Sequence, residues 1–459
     1  MSDSRRTAQA GRLDRLLSPF ADVRDGEGRG ALLLALNAFL LLAAYYVIKP
    51  VREALILTGG GAEVKSYSSA GQALLLLFLI PAYGRFASRV SRVGLITWVT
   101  LFFISNLIVF YALGVAKTPL LGVAFFLWVG IFNVMIIAQF WGFANDVYTP
   151  EQGKRLFAIV AVGSNTGAIL GAWVAKPLIA AAGVYVPLLI AAAMLGACIA
   201  LSRRVHAVAG AARGAGGEAV AADAPIGPAG GFQLIARQRY LLWIALLVLL
   251  LNAVNTTGEY ILGRTVRAAA QHALAAVTTA DPDAFQKRFI GSFYADFYFW
   301  VNLIGALAQA FVVSRVMTWF GVRAALFVLP LIALGGYALL ATVPLLGLIR
   351  TVKITENATD YSLNNTARHA LFLPTSREAK YKAKAAIDSF FWRMGDLVSA
   401  GLVFVGSLLH LAIPAFAAVN FVFALAWLWV VVRIAIEHRA LTGESEKARA
   451  GIPGVAAGS

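Results

Sequence analysis

The sequence predicts an all-α integral membrane protein with twelve transmembrane helices arranged in two six-helix halves. Of its 459 residues, 60% are hydrophobic and only 14% are charged, a balance typical of membrane proteins. Apolar windows of about 20 residues, the length that crosses a bilayer as a helix, recur along the chain. Lysine and arginine concentrate in alternate connections between these windows, as the positive-inside rule requires of an even number of spans.

Six apolar windows precede a polar, Gly- and Ala-rich stretch, and six follow it. The windows lie near residues 31–53, 67–87, 93–114, 119–143, 156–178 and 184–202, then near 240–262, 290–315, 322–341, 344–366, 386–409 and 413–436. The predicted domains are a cytoplasmic N-terminal tail (1–30), an N-terminal half (31–202), a cytoplasmic linker (203–239), a C-terminal half (240–436) and a cytoplasmic C-terminal tail (437–459). Six plus six spans with a cytoplasmic linker is how many secondary transporters are built, with the binding site between the halves.

The basic residues orient these spans. One set of connections carries the pairs Lys154/Arg155 and Arg203/Arg204 and a cluster from Arg377 to Lys384, whereas the short connections of the alternate set carry only Lys65 and Lys117. Both termini are therefore expected in the cytoplasm, and the protein in the bacterial inner membrane. The N-terminal residues lack the apolar core and cleavage site of a signal peptide. The longer segment Arg264–Phe289 is amphipathic and mixed in charge, and we expect an interfacial helix there.

The net charge, the cysteine content and the absence of known motifs limit which functions are expected. The net charge of +16 is expected to lie mostly in cytoplasmic loops, with a part available for an anionic solute, so nucleic acid is not an expected partner. The single cysteine, Cys198, cannot form an intramolecular disulfide. The sequence has no zinc-type Cys/His cluster, Walker loop or HExxH motif. We therefore expect neither an enzyme nor a bound cofactor or metal.

A polar stretch from Glu356 to Asp388 stands out between two apolar windows. Beside its start, Lys353, Asn357, Asp360 and Asn364 recur at spacings of four, three and four, which places them on one helix face. Such a face must line water or the interior of a helix bundle, because charges facing lipid are costly. Two interpretations remain open: buried polar pairs that lock helices together, or a pathway for a solute.

Two further helices carry charge on one face. On the first span, Tyr45, Lys49 and Arg52 lie at helical spacing, and Glu53 is four residues from Lys49. These cations either extend to the membrane interface or hold phosphate oxygens, to which arginine is suited. On the seventh span, Asn252, Asn255 and Glu259 share a face; a pair between Glu259 and Arg52 or Lys49 is one arrangement the sequence leaves open. Gly163, Gly167 and Gly171 indicate close helix packing.

Several motifs together resemble one family. Tyr46-Val-Ile-Lys-Pro-Val-Arg-Glu-Ala-Leu55 resembles the first-span motif of the ATP/ADP translocases of plastids and obligate intracellular bacteria. Phe140-Trp-Gly-Phe-Ala-Asn145 with Lys154-Arg155 is similar to that family's fourth-span end and following loop. Asp360-Tyr-Ser-Leu363, Leu373-Pro374, Arg377-Glu378 and Lys380-Tyr-Lys-Ala-Lys-Ala-Ala-Ile-Asp388 are similar to its tenth-span and loop motif. The matches occur in both halves, in the same order, over most of residues 31–436.

The resemblance implies a major-facilitator-like carrier that exchanges nucleotides. In that family a cation on the first span, acids on the fourth and seventh spans and a lysine near the start of the eleventh are required for function. By motif position these fall on Arg52, Glu259 and either Lys382 or Lys384. The fourth-span acid has no match, because Trp128–Gln139 contains no Asp or Glu, and the seventh-span motif is altered at Tyr260-Ile-Leu-Gly-Arg264.

The sequence therefore predicts a secondary transporter that exchanges ATP/ADP-like nucleotides or related phosphorylated anions by alternating access in a lipid bilayer. The predicted substrate-binding residues are Lys49, Arg52, Glu259, Lys353, Asn357, Asp360, Lys382 and Lys384. The predicted gating or charge-pair residues are Glu53, Asp146, Arg155, Asp388 and Arg393. The alternatives are a membrane sensor or scaffold that retains a transporter fold without transport, and a carrier for another organic anion. A monomer is compatible with the sequence, which leaves the base, the phosphate number, the direction of flux and proton coupling open.

Overall fold

The computed structural model describes residues 22–24, 27–87, 92–213 and 230–450, and all regular secondary structure in these ranges is helical. The α-helices are α1 (Glu27–Gly59), α2 (Gly61–Ala87), α3 (Arg92–Val115), α4 (Leu121–Val147), α5 (Pro150–Ala182), α6 (Val186–Arg213), α7 (Gly231–Arg237), α8 (Arg239–Ala275), α9 (Pro282–Phe311), α10 (Val313–Trp319), α11 (Gly321–Thr342), α12 (Leu346–Thr359), α13 (Asn365–Ala370), α14 (Lys384–Ala386), α15 (Trp392–Leu408) and α16 (Ile413–Ala450). Most of the predicted N-terminal tail, the middle of the linker and the last nine residues lie outside the described ranges.

Each of the twelve predicted windows falls on helical residues of the described chain. Nine of the helices in the described ranges are long and apolar enough to cross a membrane, and ten spans result if α9 and α10, bent by 44° at their junction, count as one. The predicted all-helical membrane architecture is therefore confirmed. The exact number of twelve spans stays a prediction.

The segment Arg264–Phe289 is not a separate helix. Helix α8 continues to Ala275, and α9 begins at Pro282. Asp281 marks this start, because its carboxylate accepts the backbone N–H of Ala284 at 3.0 Å, as a residue at a helix N-terminus does. Proline at the first helical position is favoured, since its missing N–H would have no partner there. The expected interfacial helix is thus the end of one helix, a turn and the start of the next.

By its internal contacts the chain divides into two compact units. Unit 1 comprises Met1–Ala221 and Val266–Leu303, and unit 2 comprises Ala222–Thr265 and Ile304–Ser459.

Helix α1 is the centre of unit 1 and packs against α4, α5 and α6. The glycines at 163, 167 and 171 make the contact with α5 close. A Cβ atom at any of the three would collide with the backbone of α1, at Ala35, Phe39 and Ala43 respectively. Small residues at four-residue spacing let two helix backbones approach in this way, so the predicted close packing is confirmed.

Unit 2 is built around the contact between α11 and α16. Tyr337 and Trp427 are buried within it, and the rings of Tyr260 and Phe416 pack with their centroids 4.8 Å apart. The polar stretch first noticed in the sequence begins in α12 and runs through three π-helical turns, Asp360–Asn364, Ala379–Ala383 and Ile387–Phe391. Such turns interrupt regular α-helices and frequently occur at functional sites.

Candidate functional site

The charged centre of unit 1 is the carboxylate of Glu53, which is completely buried. The Arg52 Nε donates to Glu53 Oε1 at 3.0 Å, and the Lys65 Nζ lies 2.7 Å from Oε2. Tyr298 of α9 donates its hydroxyl to Oε1 at 3.3 Å. Buried charges are retained only where they are paired and hydrogen-bonded, and Glu53 meets that condition through two cations and a phenol.

The turn between α1 and α2 explains how Lys65 reaches Glu53. Helix α1 ends at Gly59, less than two turns after Glu53, and Lys65 lies about one turn into α2. Gly61 has a φ of 83°, in the left-handed region that glycine adopts without strain. The two-helix reversal therefore returns Lys65 to the level of Glu53.

Aromatic rings surround the neighbouring cations of α1. The Lys49 Nζ is buried 4.1 Å from the ring centroid of Tyr298, 5.0 Å from that of Tyr46 and 5.6 Å from that of Tyr45. The Arg52 guanidinium lies 4.9 Å from the ring of Phe126 on α4. Electron-rich ring faces attract a desolvated cation, so these contacts hold both side chains in place. Tyr298 joins the two groups, since its ring faces Lys49 and its hydroxyl binds Glu53.

The charged centre of unit 2 is the ammonium of Lys353, which is 1% exposed. Its Nζ donates to Glu356 Oε2 and to Asn255 Oδ1, each at 2.9 Å, and lies 4.0 Å from Glu259 Oε1. The hydroxyl of Tyr337 donates to Glu356 Oε2 at 3.1 Å. One cation is thus shared by carboxylates on α8 and α12.

The predicted polar face of the tenth span joins this centre. Asn357 donates its side-chain amide to Glu259 Oε1 at 3.2 Å, and Asn364 donates to Asp360 Oδ1 at 2.7 Å. Asn357, Asp360, Asn255 and Glu356 line a cavity of about 20 Å³, room for about one water molecule. The sequence-predicted residues Glu259, Lys353 and Asn357 therefore meet in unit 2, and Asp360 lines the same cavity.

A second polar group links α8 to α15. Asp396 accepts hydrogen bonds from the Asn252 amide at 2.8 Å and the Thr256 hydroxyl at 2.9 Å, and Arg393 lies 3.4 Å from its other oxygen. Asn252 also donates to the carbonyl of Trp392 at 2.7 Å. The predicted gating residue Arg393 therefore pairs with Asp396, about one turn further along the same helix. Asp396 was not among the predicted site residues.

Two further predicted residues form pairs near helix ends. Arg155 donates to both carboxylate oxygens of Glu27, at 3.0 and 2.9 Å, the bidentate geometry typical of arginine. It is placed by α5, whose start is fixed by a reciprocal capping box between Thr149 and Gln152. Gln152 also donates to Glu27 at 3.1 Å.

The remaining predicted residues lie near the polar loop and at the end of α4. Lys384 and Asp388 form an ion pair of 2.8 Å, about a third exposed, within the loop motif. Lys382 lies partly exposed in the π-helical turn before it, and Asp146 lies partly exposed at the end of α4.

The predicted site residues do not include five residues that the structure adds to these ion pairs and hydrogen bonds: Lys65, Glu356, Tyr298, Asp396 and Glu27. Signals in the nearby sequence were available for Lys65 and Glu356. Lys65 is one of two lysines in connections that otherwise lack cations, and Glu356 lies three residues from Lys353, which is a helical neighbour. Arg393 is a helical neighbour of Asp396, but its other partner, Asn252, lies more than 100 residues away in the sequence, as does the partner of Glu27, Arg155. No periodicity within one helix reports such contacts.

Comparison with known proteins shows which proteins this chain resembles. Residues 310–438, which include α12, the polar loop and α15, match the family model described as "TLC ATP/ADP transporter". The ADP,ATP carrier protein 1 of Chlamydia trachomatis is 24% identical over 343 residues. The chain is similar to ADP,ATP carriers. The predicted resemblance to ATP/ADP translocases is thereby confirmed. The match covers 64% of this chain and 61% of that carrier, so it spans less than two thirds of the relative's length.

A second carrier and two solved transporter structures are also similar to this chain. The ADP,ATP carrier protein 1 of Chlamydia pneumoniae is 23% identical over 348 residues, covering 64% of this chain and 63% of that carrier. Among solved structures, a bacterial homologue of the iron transporter ferroportin aligns with a TM-score of 0.58 at 15% identity, over 89% of this chain and 98% of that one. The nucleoside transporter NupG aligns with a TM-score of 0.55 at 11% identity, over 90% and 99%. At such identities the structures show the fold alone, which is major-facilitator-like.

Proposed function

We propose that this protein is a secondary carrier, not an enzyme, and that it exchanges ATP/ADP-like nucleotides or related phosphorylated anions by alternating access. Twelve spans in two halves, a location in the bacterial inner membrane and cytoplasmic termini belong to the same proposal. One observation carries it: in a chain similar to ADP,ATP carriers, the buried Lys65 of α2 and Lys353 of α12 and the nearly buried Arg52 of α1 are held by carboxylates.

The cations suit a polyphosphate. The planar guanidinium of Arg52 matches two phosphate oxygens, and the ammonium groups of Lys49 and Lys353 act as compact point charges. We propose that these residues bind the substrate together with Glu259, Asn357, Asp360, Lys382 and Lys384. Glu53, Asp146, Arg155, Asp388 and Arg393 are proposed to form the charge pairs that open and close access.

The pairing also accounts for exchange. A buried cation without an anion is strongly unfavourable, because desolvation is not repaid. When phosphate occupies Arg52, Glu53 is displaced, and when phosphate leaves, Glu53 returns. A carrier without substrate must keep its carboxylate pairs and stays in one state, whereas a loaded carrier can change state. Transport of one nucleotide is then tied to the return of another.

The test is uptake of radiolabelled ATP into proteoliposomes loaded with ADP, ATP or no nucleotide. Loading should accelerate uptake by the wild-type protein. Arg52→Ala and Glu259→Gln should each lower the loaded rate at least about tenfold, the effect of losing one charge-assisted hydrogen bond. Arg315→Ala, which removes an exposed arginine of α10, is the control and should retain the wild-type rate.

Failure of every loading to move nucleotide would overturn the nucleotide proposal. Uptake of another phosphorylated anion in the same vesicles would then identify a carrier for that anion. Binding without any uptake would favour a sensor or scaffold with a transporter fold.

A further inference from the structure

We propose a second anion site in unit 1, a cavity of about 610 Å³ in which Lys287 and Lys117 capture the polyphosphate of a nucleotide before it reaches Arg52. The proposal deepens the proposed function, on which it rests, because it names where the substrate first binds. Binding pockets for small molecules commonly enclose about 300–1,000 Å³, so the cavity is large enough for such a ligand.

The cavity lies at the helix ends that the charge pattern places outside the cytoplasm. It is lined by Gly59 at the end of α1, by Lys117 and Leu121 at the start of α4, by Tyr185 before α6 and by Lys287 of α9. The first three of these connections belong to the set that is nearly free of lysine and arginine. Under the proposed orientation the cavity therefore faces the external solution.

Lys287 is placed as a ligand for an anion. Its side chain is 14% exposed, and its Nζ contacts Asp283 Oδ2 at 2.5 Å and donates to the Tyr185 hydroxyl at 3.1 Å. An ammonium carries three N–H donors, so a third is available to a ligand in the cavity. Lys117 is 69% exposed, and its Nζ donates to Asp281 at 3.1 Å. It can turn toward a ligand from its exposed position.

The inner end of the cavity approaches the buried cluster. Leu55 and Val64 line the cavity, and in the sequence Leu55 is two residues from Glu53 and Val64 precedes Lys65. At 1.5 Å per residue, Leu55 is about 3 Å further along α1 than Glu53. Along the axis of α1, this end of the cavity is therefore within one helical turn of the ion pair that an anion must displace to reach Arg52.

Removal of the Asp283 charge is expected to have the opposite effect on anion binding to removal of the Lys287 charge. Its carboxylate lines the cavity and repels an anion, while it also holds Lys287. Removal of the lysine charge should weaken anion capture, whereas removal of the Asp283 charge should strengthen it. Damage to the fold would weaken capture in both variants.

Gly59 allows the cavity to be probed directly. It lines the cavity, and a Cβ atom there would have no neighbour within 4 Å in the part of the chain that the structure describes, so a cysteine fits. The only native cysteine, Cys198, is buried and can be replaced by serine. In proteoliposomes of Gly59→Cys/Cys198→Ser, the rate of modification by a membrane-impermeant, negatively charged thiol reagent reports occupancy of the cavity.

ATP and tripolyphosphate should each slow this modification about tenfold at saturation, whereas adenosine should not. In the same background, Lys287→Met should raise the half-protecting concentration of ATP about tenfold, and Asp283→Asn should lower it about threefold. Val277→Cys, in the connection before α9 and outside the lining, is the control for reagent access and should not be protected.

The outcomes separate the two proposals. If ATP gives no protection while the same vesicles exchange ATP, the capture site is wrong and the proposed function stands. If ATP protects but is not transported, the site stands and the proposed function fails. Protection that is unchanged in Lys287→Met overturns the assignment of that residue.

Discussion

The buried clusters of the two units are opposite in charge arrangement. In unit 1, one carboxylate, Glu53, is shared by the cations Arg52 and Lys65. In unit 2, one cation, Lys353, is shared by the carboxylates Glu356 and Glu259. Each cluster is completed by a tyrosine hydroxyl that donates to a carboxylate.

The difference decides how each cluster responds when its shared member is lost. Loss of Glu53 leaves two cations without their shared anion, and an anion from solution can take its place. Loss of Lys353 leaves two carboxylates without their shared cation, which an anion cannot replace. We therefore expect an added anion to compensate the loss in unit 1 but not the loss in unit 2.

The largest effect is expected for Glu53→Gln. It removes the carboxylate that Arg52 and Lys65 share in a fully buried position, and breaking such a pair costs about 3–5 kcal/mol of unfolding free energy. The measurement is thermal unfolding of the purified protein, with Glu151→Gln on the exposed start of α5 as the control. Added ATP should restore part of the lost stability, because phosphate replaces the missing carboxylate.

Wild-type stability in Glu53→Gln would contradict the comparison, since the two cations would then not require this anion.

Lys353→Met should come second, with a loss of about 3 kcal/mol near neutral pH. Methionine keeps most of the side-chain volume, so the loss reports the charge between Glu356 and Glu259. Added ATP should not restore this loss, because an anion cannot replace the cation that the two carboxylates share. Thermal unfolding with and without ATP checks this, with Glu53→Gln as the comparison whose deficit should shrink on addition of ATP. Equal recovery of both variants with ATP would refute the proposed contrast.

A matched pair of tyrosine variants sharpens the contrast further. Tyr337→Phe removes a donor to Glu356 that is 3.1 Å away, and Tyr298→Phe removes a donor to Glu53 that is 3.3 Å away. Glu53 keeps two cations, whereas Glu356 keeps Lys353 on the same oxygen, and its Oε1 has no hydrogen-bond partner among the described residues. We expect Tyr337→Phe to lower the free energy of unfolding by about 2 kcal/mol and Tyr298→Phe to lower it by about 1 kcal/mol. Equal losses of unfolding free energy in the two variants would indicate that the remaining contacts stabilise Glu53 and Glu356 equally well.

Sequence periodicity predicted which polar residues of the candidate site share one helix face. The spacing of Lys353, Asn357 and Asp360 placed them on one face, and Asn255 and Glu259 share a face of α8; contacts from Lys353 and Asn357 connect the two helices. The glycine stripe of α5 likewise predicted its close packing on α1. These successes share one cause, because helical spacing fixes which side chains face the same way.

Contacts between distant helices could not be predicted in this way. Asp396 binds Asn252 from 144 positions away, and Glu27 binds Arg155 from 128 positions away. Each pair depends on which helices become neighbours, and that is decided by packing of the whole unit. The charge pattern did single out Lys65 and Lys117 as cations on the side that otherwise lacks them, and in the structure each is paired with an acid.

These two lysines extend the comparison to the smallest expected effect. The partner of Lys65 is completely buried, whereas Lys117 and Asp281 form an exposed pair at 3.1 Å. The backbone N–H of Ala284 and the ammonium of Lys117 lower the pKa of Asp281. Because this pKa is lowered on folding, Asp281 stabilises the protein above its ordinary pKa of about 3.9, and the contribution is lost as the pH falls through the folded value.

Asp281→Asn should therefore lower the melting temperature by less than about 2 °C near neutral pH, since exposed ion pairs contribute little. Asparagine can still accept the N–H of Ala284, so the difference reports only the charge. Thermal unfolding of both proteins at decreasing pH should show the difference begin to shrink below about pH 3.9 and vanish once Asp281 is protonated in the folded state, and about 1 M salt should abolish it near neutral pH. A loss as large as that of Glu53→Gln would mean that burial does not set the strength of these pairs, and the contrast between Lys65 and Lys117 would fail.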